Sequence, residues 1–88
     1  ANQVLDKALL IKRLQQALAL RQQLFAKPFY RLVYGESDQL PGLIVDRYGD
    51  VLVVQLNTAG MENLKSILAE SLMEVLQPQA VLLRNDST

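Results

Sequence analysis

The chain has 88 residues, half of them hydrophobic, with nine basic and nine acidic side chains and a formal net charge of zero. That suffices for one small domain with a modest core and not for two. The absence of Cys and His removes disulfides, the usual zinc ligand sets, a cysteine nucleophile and an imidazole base together.

The first predicted element is a long amphipathic helix from Leu5 to Phe25. Leu10, Leu14, Ala17, Leu18, Leu24 and Phe25 recur at helical spacing, while Lys12, Gln15, Gln16, Ala19 and Gln23 take the opposite side. Arg21 breaks the pattern, because it lies seven positions after Leu14 and falls on the apolar stripe. A guanidinium placed there needs a carboxylate. The acids at 36, 38 and 46 are the supply, with Glu36 or Asp46 the preferred partner; the alternative is that Arg21 snorkels to water past the core edge.

Lys27-Pro28 ends the helix, since a residue before proline is pushed out of the α region. Phe29 to Tyr34 reads as a strand in which Arg31 alternates with Leu32. After Glu36-Ser37-Asp38 and the turn pair Pro41-Gly42 come a second strand, Leu43 to Arg47, and a third, Val51 to Leu56. The tight loop Tyr48-Gly49-Asp50 between them predicts antiparallel pairing. Asn57 or Thr58 can cap a second helix running to about Leu76, with Met61, Leu64, Ile67, Leu68, Leu72, Val75 and Leu76 on its apolar stripe and Glu62 suited to the dipole at its start. Gln77-Pro78-Gln79 stops it, and Ala80 to Arg84 forms a fourth strand before Asn85-Asp86-Ser87-Thr88. The order α-β-β-β-α-β predicts an α+β domain: a small, mostly antiparallel sheet with a long N-terminal helix and a second helix between strands 3 and 4. No repeat, low-complexity tract or internal linker interrupts it.

Charge is unevenly distributed. Residues 1–34 carry Lys7, Lys12, Arg13, Arg21, Lys27 and Arg31 against the single acid Asp6, and the excess is reversed from residue 35 onward. A basic helix face using Lys7, Lys12, Arg13 and Lys27 can meet RNA phosphates; the alternative is that the two halves attract each other in the fold. No apolar run approaches the roughly 20 residues that cross a bilayer, so no membrane partner is expected. Ala1-Asn2-Gln3 does not begin a signal peptide, a cytoplasmic location fits, and the missing initiator Met suggests that the chain was cut from something longer.

The acids Glu36, Asp38, Asp46 and Asp50 invite a general acid/base pair or an oxygen-ligand metal site, yet their spacing matches no calcium loop. Asp46 and Asp50 flank a hairpin turn and Asp38 precedes a Pro-Gly turn, where local backbone hydrogen bonds favour acids. Neither a turn nor a helix start requires Glu36, which is free to partner Arg21 or to face a neighbouring domain. Gly35, Gly42, Gly49 and Gly60 are too dispersed for a dinucleotide fingerprint. No catalytic, cofactor-binding or metal-binding residue is therefore expected. Tyr30, Tyr34 and Tyr48 with Arg31 and Arg47 read either as a base-stacking platform on the sheet or as core aromatics with surface hydroxyls.

Gly35-Glu36-x-Asp38-x-Leu40-Pro41-Gly42 followed by Asp46-Arg47-Tyr48-Gly49 carries a resemblance, together with Arg13-Leu14-Gln15-Gln16-Ala17, Tyr30-Arg31-Leu32, and Arg84 with Asp86. The chain resembles the central domain of the SAM-dependent methyltransferases that modify cytosine at carbon 5 in large-subunit ribosomal RNA. In that family an RNA-binding PUA domain comes first, a small α/β domain second and a Rossmann-like catalytic domain last. The resemblance implies that residues 1–27 form a connecting helix and residues 28–88 the middle domain. It places the SAM-binding turn, the ribose-holding acid and the catalytic cysteine in the later domain, so this chain would hold no cofactor while its parent would use SAM. The implied partners are large-subunit ribosomal RNA and the adjacent PUA and catalytic domains. Neighbouring methyltransferase families share much of the pattern, so the reaction class is better specified than the base modified. The expected role is that of a non-catalytic spacer; the alternatives are a stand-alone RNA-binding module and a structural dimerisation module. The family supplies one further strand after the fourth, so an exposed edge is expected here that permits self-association.

Overall fold

The computed structural model describes residues 5–84; the expectations for residues 1–4 and 85–88, including the match at Asp86, lie outside the described residues. Helix α1 (Lys7–Leu24) starts at Asp6, whose backbone is extended and whose carboxylate accepts a hydrogen bond from the Leu9 N–H at 2.9 Å. That satisfies one of the donors a helix start leaves unpaired. Phe25 is extended again, and its N–H closes the last turn on the Arg21 carbonyl at 2.9 Å. Leu10, Leu14 and Ala17 are buried as their spacing predicts. Leu24 and Phe25 are not, at 64% and 47% exposure, because the last turn projects past the core.

Strands β1 (Phe29–Tyr34), β2 (Leu43–Tyr48), β3 (Val51–Leu56) and β4 (Ala80–Leu83) form one sheet in the order β1-β2-β3-β4. The first two pairings are antiparallel and β3–β4 is parallel, so the mostly antiparallel α+β reading holds. The β2–β3 connection is a two-residue loop in which Gly49 takes φ 62°, a conformation that costs glycine little. The parallel pair requires a crossover, and two helices supply it.

Those helices were expected to be one. Thr58 caps α2 (Ala59–Glu62) through its hydroxyl, which accepts the Met61 N–H at 3.1 Å, and α3 (Lys65–Leu76) follows after a break. The cause is a tightened turn: Leu64 N–H bonds to the Met61 carbonyl three residues back, and Leu64 itself leaves the helical region at φ −99°, ψ 9°. Gly60, a weak helix former, does nothing to extend the short segment. Met61, Leu68 and Leu72 still reach the core.

A bulge in β1 decides which side chains enter the core. Arg31 pairs with Asp46 and Val33 with Val45, leaving Leu32 as the extra residue. Simple alternation would turn Val33 outward; the bulge places Leu32 and Val33 both at 0% exposure and turns Tyr34 out. Helices α1 and α3 pack on each other over one sheet face, whose strand residues include Val45, Leu52 and Val54. The opposite face carries the cross-strand row Arg31, Asp46, Val53 and Leu82, with Leu82 53% exposed. No described helix is long and apolar enough to cross a membrane.

Candidate functional site

The glycine- and acid-rich segment after β1 folds as a 3-10 turn over Gly35–Asp38, and α1 holds it from one side. Arg21 presents its guanidinium fork to Asp38, with Nη1 to Oδ1 at 2.6 Å and Nη2 to Oδ2 at 2.9 Å. Its Nε donates to the Arg31 carbonyl at 3.2 Å, so one side chain fastens helix, strand and turn together. Asp38 Oδ2 also accepts the Tyr34 N–H at 2.6 Å. The two side chains are only 12% and 5% exposed, which makes the pair a nearly buried, fully hydrogen-bonded one. Two helical turns earlier Arg13 Nη1 donates to the Gln39 carbonyl at 2.8 Å, where Gln39 takes φ 60° to end the turn. Leu40 next to it is fully buried.

The expected partner of Arg21 was Glu36 or Asp46, and neither takes that role. Asp46 lies on the outer sheet face, directly across from Arg31, and accepts from its Nε at 2.8 Å and Nη2 at 3.3 Å. The hydrogen bond that Arg31 donates to Asp46 raises the Arg31 pKa above its ordinary value, against an opposing effect of burial. Glu36 is exposed and sits at the rim of a shallow pocket lined by Tyr34, Ser37, Gly42, Ile44 and Asn57. Asp38 wins because its carboxylate, at the end of the turn, reaches the β1 backbone and the Arg21 fork at once. Among the described residues no three acids converge in a way that could hold a metal ion.

The basic residues do not form a single stripe. Lys7 Nζ bridges Glu70 at 3.1 Å and Glu74 at 2.7 Å on α3, and the hydrogen bonds it donates, to Glu74 first and then to Glu70, raise its pKa above 10.5. Arg13 serves the turn, Lys12 is exposed in mid-helix, and Lys27 is exposed beyond the helix end.

Lys27 instead joins residues from elsewhere in the chain. A pocket of about 330 Å³ lies at the junction of α1 with β1 and β2, walled by Gln22, Phe25, Lys27, Tyr30 and Arg47. Phe25 stacks on Tyr30 with ring centroids 5.5 Å apart and planes 24° from parallel. The Arg47 guanidinium lies 5.7 Å from the Tyr30 ring centre, donates from Nη1 to the Tyr30 hydroxyl at 2.8 Å, and donates from Nε to the Gly49 carbonyl at 3.1 Å. Of the three tyrosines, only Tyr30 joins this group; Tyr34 lies on the outer face under Arg31, at 5.5 Å, and Tyr48 is 56% exposed. Sequence reasoning singled out Lys27, Tyr30 and Arg47 but assigned Phe25 to the core stripe and passed over Gln22. Their spacing to Lys27 was visible; that the last helical turn would escape the core was not.

No family model matches the chain. It is 41% identical to a ribosomal RNA large subunit methyltransferase I from Aliivibrio fischeri strain MJ11, aligned over 97% of this chain and 22% of that protein. The enzyme of the same name from Escherichia coli O1:K1 is 40% identical over the same shares. The chain thus spans about a fifth (22%) of the length of the curated relatives it matches and is related in sequence to that one segment. Among solved structures, a protein from Streptococcus mutans assigned as a SAM-dependent methyltransferase superposes with a TM-score of 0.80 at 19% identity, covering 96% of this chain and 24% of the other. A second, SMU.776, a methyltransferase by assignment and crystallised with SAH, gives 0.79 at 19% identity over the same shares. These two show a common fold.

Proposed function

We propose that this chain is the non-catalytic middle domain of a bacterial SAM-dependent methyltransferase acting at carbon 5 of cytosine in large-subunit ribosomal RNA. Its task is to set the spacing and orientation of a preceding PUA domain and a following catalytic domain. The sequence relation to one segment of ribosomal RNA methyltransferases supports the enzyme class, and the SAH complex of a protein with the same fold supports SAM as the parent's cofactor. Within this reading residues 1–27 are the connecting helix, residues 28–88 the domain proper, and the cytoplasm the site of action.

The observation that carries the spacer role is the lock between Arg21 and Asp38. A connecting helix transmits orientation only if it cannot swing on the domain it enters, and a nearly buried bidentate pair anchored to two strand backbone groups prevents that. The test is made in the full-length enzyme. Arg21→Lys and Asp38→Asn should lower methyl transfer to ribosomal RNA while leaving SAM affinity unchanged. Methylation at the wild-type rate in both variants, each still folded, rules the spacer role out.

A second reading has one observation in its favour. Among the described residues β4 is an edge strand, Leu82 and Leu83 are 53% and 48% exposed, and an apolar groove bounded by Val54, Leu68, Leu72 and Val81 opens beside it. Such an edge can pair with a second copy of the chain.

A further inference from the structure

We infer that the pocket between the end of α1 and strands β1 and β2 binds one nucleotide unit of single-stranded RNA, its base against Phe25 and its phosphate between Lys27 and Arg47. RNA as the natural source of that nucleotide rests on the reading above; the chemistry of the pocket does not.

Three features converge there. The first is an available aromatic surface: Phe25 rests on Tyr30 yet remains 47% exposed, so a base can extend the existing stack. The second is unopposed positive charge. Lys27 and Arg47 both line the pocket, no carboxylate does, and Lys27 forms no ion pair among the described residues. The third is preorganisation. Arg47 is held over Tyr30 by two hydrogen bonds from Nε and Nη1, which leave Nη2 without a protein acceptor among the described residues. A part-buried guanidinium already fixed in place loses little freedom on meeting a phosphate oxygen. By contrast, Lys7 is committed to Glu70 and Glu74 and Arg13 donates to Gln39, so the helix face offers no comparable site.

The pocket's position fits a strand passing over the surface. It is open, lies at the junction where α1 meets the sheet, and is walled by Ala26 and Pro28 as well as by charged groups. A single nucleotide laid across it would leave its neighbours in solvent, as sequence-tolerant stacking sites do.

The test is an amide chemical-shift titration of this chain with an eight-residue oligouridylate at two salt concentrations, alongside an abasic oligomer of equal length, UMP and inorganic phosphate. Shifts concentrated at Gln22, Phe25, Lys27, Tyr30 and Arg47 are expected, with affinity falling as salt rises. Phe25→Ala should weaken binding about five- to tenfold, and Lys27→Gln should reduce the salt slope by about 0.7. Both side chains are exposed, so both variants should keep the wild-type spectrum elsewhere, and Lys12→Gln should change nothing. Absence of shifts, shifts centred on Lys12, or equal affinity for the abasic oligomer overturns the assignment. UMP binding as tightly as the oligomer reassigns the pocket to free nucleotides and overturns RNA as its ligand. Failure here with the full-length enzyme still methylating ribosomal RNA refutes the pocket alone; nucleotide binding without SAM-dependent methylation refutes the enzyme reading and spares the pocket.

Discussion

Arg21 and Asp38 meet fork to fork across 17 residues of sequence, at 2.6 and 2.9 Å, with 12% and 5% of their side-chain surface exposed. A pair this deep is stable only while complete, because removing one member strands the other's charge away from water. Asp38→Ala should therefore cost about 3 kcal/mol in urea unfolding at neutral pH. Arg21→Lys should cost less, since an ammonium keeps the charge but cannot reproduce the fork. A loss for Asp38→Ala below about 1 kcal/mol would show that the pair behaves as an ordinary surface bridge.

Gly42 and Thr58 are a second coupled pair. A Cβ on Gly42 would lie 2.6 Å from Thr58 Cγ2 and 2.9 Å from its Cβ, and closer still to the hydroxyl that caps α2, in a backbone already at φ 83°. Gly42→Ala should cost about 2–3 kcal/mol, from overpacking and positive φ together. Thr58→Gly removes the obstructing atoms at the expense of a cap, on the order of a few tenths of a kcal/mol because glycine is itself tolerated at that position. In the double variant most of the overpacking should vanish, giving a coupling energy of about 1 kcal/mol or more. Strict additivity in the thermodynamic cycle would mean that the two sites relax apart.

The bridge from Lys7 to Glu70 and Glu74 joins α1 to α3 at the surface. Because folding raises the Lys7 pKa, its contribution is complete below the unfolded value of 10.5 and is lost as pH climbs through the higher folded value. Comparison of Lys7→Met with the wild type by urea midpoint should show a small gap at low salt and neutral pH. That gap should close above about pH 10.5 and also in high salt. A gap that persists under both conditions would point to packing by the lysine stem rather than charge.

The β4 edge makes its own forecast. Sedimentation equilibrium of the chain should reveal concentration-dependent dimers, and Leu82→Lys should abolish them by placing a charge on the exposed edge. A monomer at the highest attainable concentration removes the dimerisation reading.

Much of this architecture is local and was legible in the chain. Pro28 and Pro78 bound the helices, the short Gly49-Asp50 loop forces β2 and β3 antiparallel, and the spacing of Leu10, Leu14 and Ala17 selects the buried side of α1. The candidate pocket was legible in parts: Lys27, Tyr30 and Arg47 stood out as cation and aromatic residues, but on separate elements. Phe25 misled because periodicity reports which side of a helix a residue occupies and not how far the core extends beneath it.

The sequence by itself determined the α+β class and the order of strands and helices, apart from the break between α2 and α3, and it marked Arg21 as a cation on the apolar stripe that needs either a carboxylate or a way out to water. Each follows from local periodicity, turn chemistry and the cost of a lone buried charge. Only the tertiary structure decided that Arg21 pairs with a carboxylate at all and that this carboxylate is Asp38, that Leu32 bulges so that Val33 turns inward, and that Lys27 and Arg47 line one pocket. Those outcomes depend on distances of a few ångströms between segments far apart in the chain. Such distances are set when the helices seat on the sheet, and no pattern of neighbours along the sequence encodes them.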